Sequence, residues 1–143
     1  MLRIILYLML ISSVSFNIKA DSCVYDEKTL GDNLSKYIES FEVIISKGQS
    51  HYAVYIYFQD KISGYDLNGA SFEIEDEESS EVLISIPLDI RNDENRKLLS
   101  FLVDKGNYRY SKVSIFYKRC GLVLDIRLKN LDSAPLSQRV RIK

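Results

Sequence analysis

Tyr108–Leu128 reads Tyr-Arg-Tyr-Ser-Lys-Val-Ser-Ile-Phe-Tyr-Lys-Arg-Cys-Gly-Leu-Val-Leu-Asp-Ile-Arg-Leu, two apolar-rich segments broken at Arg119-Cys120-Gly121. In the second segment Leu122, Leu124, Ile126 and Leu128 alternate with Val123, Asp125 and Arg127. A period of two sustained over four repeats is the pattern of a strand with one buried face. The first segment is rich in β-branched and aromatic residues, and Gly121 supplies the backbone freedom of a tight turn. The stretch therefore predicts a β-hairpin with Cys120 at its tip.

The second cysteine, Cys23, lies 97 positions earlier. It follows a segment with the marks of an export signal. Arg3 is the basic residue, Ile4–Ile11 is almost unbroken apolar, and Ile18-Lys19-Ala20 ends the segment as a cleavage site would. A membrane-spanning helix needs ~20 apolar residues, more than the serine-interrupted run to Phe16 offers. Ala20-Asp21-Ser22 before Cys23 does not form a lipobox. The expected organisation is a signal peptide over residues 1–20 and one domain over 21–143. That makes the protein exported, periplasmic or secreted, with no stable membrane span after cleavage. Two cysteines in an exported chain predict a Cys23–Cys120 disulfide, worth about 4 kcal/mol in the chain-entropy picture.

The charges are unevenly placed. Asp21–Asn95 holds 17 acidic and 5 basic residues, a balance of −12, whereas Arg96–Lys143 holds 3 acidic and 12 basic, a balance of +9. Either the halves form separate faces of a dipolar molecule or they interleave and neutralise one another.

Working back from the hairpin, Arg96–Lys105 carries Leu98, Leu99, Phe101, Leu102 and Val103 between Asn92 or Asp93 as a cap and Gly106 as a stop, which predicts a short helix. Asp26–Ser40 places Leu30, Leu34, Tyr37 and Ile38 at helical spacing, predicting a first helix. Between them, Phe41–Lys47, His51–Phe58, Ser71–Glu75 and Glu81–Leu88 read as strands. His51–Phe58 is apolar on both faces, as a central strand should be. Pro87 marks a strand end or a sheet edge. Gln138–Lys143 is a further edge-strand candidate. The sum is an α+β fold: a single, mainly antiparallel, twisted sheet of five to seven strands with two helices packed on it and one disulfide.

Several chemistries lack their residues. His51 is the only histidine, so any Ser-His-Asp arrangement must use it. The two cysteines are assigned to each other, and one histidine cannot complete a tetrahedral zinc site. Nucleotide loops, calcium loops and His-Glu-x-x-His are all missing, so no cofactor or metal is expected and no catalytic residue is assigned. Glu73, Glu75, Asp76, Glu77, Glu78 and Glu81 place six acids within nine positions. Acids on a turn are solvated and ionised, which suits a solubilising loop or a contact with a cationic partner better than general acid catalysis. The partner-binding candidates are Glu75, Asp76, Glu77, Glu78 and Glu81. The basic C-terminal part, interleaved with Tyr108, Tyr110, Phe116 and Tyr117, has the look of a nucleic-acid surface. Export argues against nucleic acid and leaves an anionic envelope glycan or headgroup as its alternative target.

The layout resembles the periplasmic immunity proteins of bacterial toxins, such as those guarding against colicin M or pesticin. The features that carry it are the export signal Met1–Ala20, Cys23 just after it, Cys120 near the other end, and one charge-segregated α+β domain. The resemblance implies a tight complex with a protein partner, hastened by electrostatic complementarity. The Asp76–Glu81 loop would then approach a basic groove on a toxin. The alternatives are an envelope glycan- or ligand-binding module and, further off, a carboxylate-based glycan hydrolase.

Overall fold

A computed structural model of the chain describes residues 36–117, 122–131 and 140–142. Ten strands are described: β1 Phe41–Lys47, β2 His51–Phe58, β3 Lys61–Ile62, β4 Tyr65–Glu75, β5 Val82–Pro87, β6 Arg91–Asp93, β7 Arg96–Asp104, β8 Ser111–Tyr117, β9 Leu122–Arg127 and β10 Val140–Ile142. They form two sheets. One has the order β10-β1-β2-β7-β6, with β10 parallel to β1 and every other pair antiparallel. The other has β4, β8 and β9 side by side, with β3 and β5 sharing the far edge of β4.

The expected α+β architecture is therefore corrected to a mostly β one. Instead of one sheet with two helices on it there are two facing sheets, and among the described residues no helix reaches seven residues. The physical reason is clearest at Arg96–Lys105. Its five apolar residues satisfy a helical stripe and an alternating strand equally well, and the partners decide between them. As β7, the segment aligns Phe101 with Val54, Leu99 with Ile56 and Val103 with Tyr52. The residues expected to cap a helix instead close the β6–β7 hairpin, where Glu94 takes a φ of 52°. Of the first expected helix, Asp26–Ser40, only the end is described, and Ile38–Ser40 is a 3-10 turn leading into β1. The expected signal peptide, Cys23 and Cys120 lie outside the described residues.

The strand predictions fare better. The opening stretch forms the antiparallel β8–β9 hairpin, Val113 opposite Ile126 and Ile115 opposite Leu124, although its tip lies outside the described residues. β2 is interior, between β1 and β7, but it is not covered on both faces as its apolar run suggested: Val54, Ile56 and Phe58 are buried while Tyr55 on the other face is exposed. β1 and β2 turn at Gly48, where a Cβ would come within 2.8 Å of the His51 carbonyl oxygen. Between β2 and the body of β4, residues 61–66 form the β3–β4 hairpin. Its two-residue loop is Ser63-Gly64, both at positive φ, the geometry that matches the twist of paired strands.

With no helix to cover them, the apolar faces of the sheets cover each other. One cluster joins Val43, Ile45, Val54, Ile56 and Leu99 of the first sheet to Phe72, Val113, Ile115, Leu124 and Ile126 of the second. Each such side chain stabilises the fold by roughly 1.5–3 kcal/mol relative to exposure. Tyr117 is fully buried and donates a 2.6 Å hydrogen bond to the Gln59 carbonyl. Burial, helped by nearby Asp60, holds its phenol neutral well above the usual tyrosine range.

Candidate functional site

The acids singled out in the sequence fall on the β4–β5 hairpin, and the structure divides them. Alternation along β4 puts Ala70, Phe72 and Ile74 toward the core and Ser71, Glu73 and Glu75 on the outer face. There Glu73 lies opposite Lys112 of β8, which lies opposite Arg127 of β9. Lys112 Nζ is 2.9 Å from Glu73 and 3.0 Å from Glu75, and Arg127 is 3.4 Å from Glu75. The Lys112, Glu73 and Glu75 side chains are only 12–13% exposed. Burial pushes the Lys112 ammonium down, but hydrogen bonds to Glu73 and Glu75 outweigh it and hold it above the usual lysine value. Ser71 donates to Glu73 at 2.9 Å, and Ser114 donates to Asp125 at 2.6 Å. Glu75 is thus built into the sheet and is not a free contact.

Asp76 is spent on the turn itself. Its N–H donates to the Glu81 carbonyl at 2.8 Å, and its carbonyl accepts from Ser80, which stands at a φ of 58°. Its carboxylate accepts from the N–H and hydroxyl of Ser79 and from the N–H of Glu78. These bonds, those from Ser79 first, hold the Asp76 carboxyl below the usual aspartate value. Glu77 is 2.9 Å from Arg109 and accepts from the Tyr110 hydroxyl at 2.8 Å, while Arg109 also bonds Tyr110. Glu75, Asp76, Glu77, Ser80, Arg109, Tyr110 and Lys129 line an open pocket of about 100 Å³, room for a few waters. Glu78 and Glu81 remain exposed, and among the described residues neither side chain has an ion pair.

The charge asymmetry resolves in the same way. Arg96 and Arg141 pair with Glu42, Lys97 with Asp60, Arg109 with Glu77, Lys112 with Glu73 and Glu75, and Arg127 with Glu75. Every one of these pairs joins the basic half of the chain to the acidic half, so the two interleave. Among the described residues, Arg109, Lys112, Arg127 and Arg141 of the cations proposed for a glycan surface are held by carboxylates, and Tyr117, one of its aromatics, is in the core.

Two features went unread in the sequence. The first is the exposure of β5, Val82-Leu83-Ile84-Ser85-Ile86-Pro87, which is open to water at every position. Ile84 and Ile86 align with Ile74 and Phe72 on the core-facing side of the sheet, yet are 47% and 50% exposed. Val82 and Leu83 are 48% and 63% exposed. The available signal was an apolar run between Glu81 and Asp89 ending in the edge-marking Pro87. The second is a Ser-His-Asp relay. Ser50 Oγ lies 2.8 Å from His51 Nδ1, and His51 Nε2 lies 2.8 Å from Asp104. A catalytic relay needs a buried acid to orient the imidazole and N–H donors for an oxyanion. Here Asp104 is 62% exposed, and the relay fastens the β1–β2 turn to the end of β7. Among the described residues no group of three or more His, Cys, Asp or Glu is disposed to hold a metal, and no helix is long and apolar enough to cross a membrane.

Comparison with protein-family models, with curated proteins and with solved structures gives no match. The likeness to periplasmic immunity proteins thus rests on the expected export signal and the placing of Cys23 and Cys120 in the sequence, since the α+β class and the charge segregation that also carried it are overturned.

Proposed function

We propose that this is a small exported binding protein that neutralises a protein partner, of the kind immunity proteins provide against toxins, and that it engages that partner through the β4–β5 hairpin. The observation that supports this is the division among the hairpin's acids. Glu73, Glu75 and Glu77 are matched by cations from β8, β9 and Arg109, whereas Glu78 and Glu81 have no ion pair among the described residues. From Ile62 to Ile90 the chain contains no lysine, arginine or histidine, so nothing in the hairpin itself offsets them. A surface of this sign favours a basic groove and accelerates encounter with it.

The experiment is capture from envelope extracts of the native host with the wild-type protein and with a Glu78→Lys/Glu81→Lys variant. The captured protein is then purified and its association rate measured across salt concentrations. The proposal expects a basic partner whose activity is inhibited at one-to-one stoichiometry. Its association should slow with added salt and slow about tenfold on charge reversal. A rate indifferent to both changes removes the hairpin from the mechanism, and a captured protein left fully active removes the neutralising role.

A further inference from the structure

The hairpin carries more than charge. β5 overhangs the sandwich: its core-side isoleucines stand in the same rows as buried residues but are left half in water. Ile84 and Ile86, half exposed on the core side, with Val82 and Leu83 exposed beside them at the register shift, make β5 an apolar lip of the kind that marks an interaction site. Acids border it, with Glu78 and Glu81 before the strand and Asp89 after it. Deepening the reading above, we infer that this lip is a docking site for an apolar segment of a partner flanked by lysine or arginine. Side chains, not an added strand, make the contact.

Two observations fix the mode and the occupant. The Leu88 N–H donates to the Ala70 carbonyl at 2.9 Å, and the register pairs Phe72 with Ile86 and Ile74 with Ile84. Those residues point their main-chain groups at β4, so the groups of Ser85 and Pro87 face the open edge. Pro87 has no N–H to give, and the β4–β5 register shifts beside Leu83. Only Ser85 is left with a regular donor and acceptor, too few for a strand to zip on. The blunted main chain therefore leaves the apolar side chains as the available contact. Charge then selects the occupant. In a second copy of this chain, Glu81 and Asp89 would meet their own kind, which costs association, whereas cations flanking an apolar segment meet opposite charge at both ends.

The test uses a defined probe, the capped peptide Lys-Ile-Ser-Val-Ser-Ile-Lys, against a counterpart with glutamate in place of both lysines. Binding is followed by anisotropy of a labelled peptide, alongside the sedimentation of the protein alone. Ile84→Thr/Ile86→Thr keeps β-branched residues in the strand and removes the apolar contact. Leu102→Thr, on an exposed apolar residue of β7 elsewhere, serves as the control. Expected are a monomer, binding of the lysine peptide at least tenfold tighter than the glutamate one, a tenfold loss with Ile84→Thr/Ile86→Thr, and no change with Leu102→Thr. Equal affinity for the two peptides, or indifference to the isoleucine changes, overturns the inference. A dimer dissolved by the isoleucine changes also overturns it, by making a second copy the occupant. Peptide binding by the lip with no neutralised partner from the host would sink the toxin-neutralising role and leave the docking site standing.

Discussion

The outer face of β4, β8 and β9 and the β5 lip lie on either side of one strand, β4, yet treat their charges in opposite ways. On the first, Glu73, Glu75 and Lys112, largely withdrawn from water, are knitted across three strands with the more exposed Arg127. On the second, apolar side chains are left in water, and among the described residues the neighbouring Glu78 and Glu81 have no ion pair. Density of acids in the sequence is therefore a poor guide to a binding surface. What distinguishes the two regions is whether a strand from the basic half of the chain runs alongside. β8 and β9 flank β4 and absorb its acids, while among the described strands β5 pairs with β4 alone.

The largest break in this comparison should come from Lys112→Met. It leaves Glu73 and Glu75 facing each other, with Arg127 as their remaining cation, in a nearly buried site. Removing one partner of such a cluster costs about 3–5 kcal/mol, which lowers the melting temperature by about 10 °C or more in a domain of this size. Adding Glu73→Gln and Glu75→Gln to Lys112→Met should recover part of the loss, because the stranded charges go with the carboxylates. Full stability in Lys112→Met alone would show the network to be decorative.

Ile84→Thr/Ile86→Thr should be far milder, below about 1 kcal/mol, since half-exposed side chains lose little burial. A loss as large as that of Lys112→Met in the same thermal melts would mean that the lip belongs to the core. Smaller again is Glu78→Lys/Glu81→Lys, with a stability change within about 0.5 kcal/mol in denaturant titrations. Its effect should show in association rates only. The subtlest contrast is the titration of Asp76. Its folded pKa lies below the ordinary aspartate value near 3.8, because hydrogen bonds from Ser79 and Glu78 favour the carboxylate. The stability it adds is present above that ordinary value and is lost as the pH falls through the lowered one. Carboxyl NMR should show Asp76 titrating below the ordinary aspartate value, and Asp76→Asn should remove the acid-induced loosening of the turn.

How much of this was legible beforehand follows from where the deciding information lies. The alternation of Leu122, Leu124 and Ile126 fixes a strand without knowledge of its neighbours, and β1, β2, β5 and the β8–β9 hairpin were readable for that reason. Leu98–Val103 was misread because its apolar residues fit two periods and only pairing with β2 selects one. The second sheet was hidden for a related reason: no local pattern states which face covers which. At the site, the acidic turn was visible as composition. The loss of Glu75 to Lys112 and of Glu77 to Arg109 depends on contacts more than thirty residues apart. The apolar character of β5 was in plain view, but its exposure depends on tertiary pairing: among the described strands it has β4 alone beside it.

The most direct measurement maps the Lys-Ile-Ser-Val-Ser-Ile-Lys peptide onto the protein by backbone amide NMR shifts. Shifts concentrated on Glu78–Leu88, with Lys112, Ser114 and Arg127 undisturbed, are what the two-region account predicts. Shifts centred on the β4–β8–β9 face, or spread evenly over both, would contradict it.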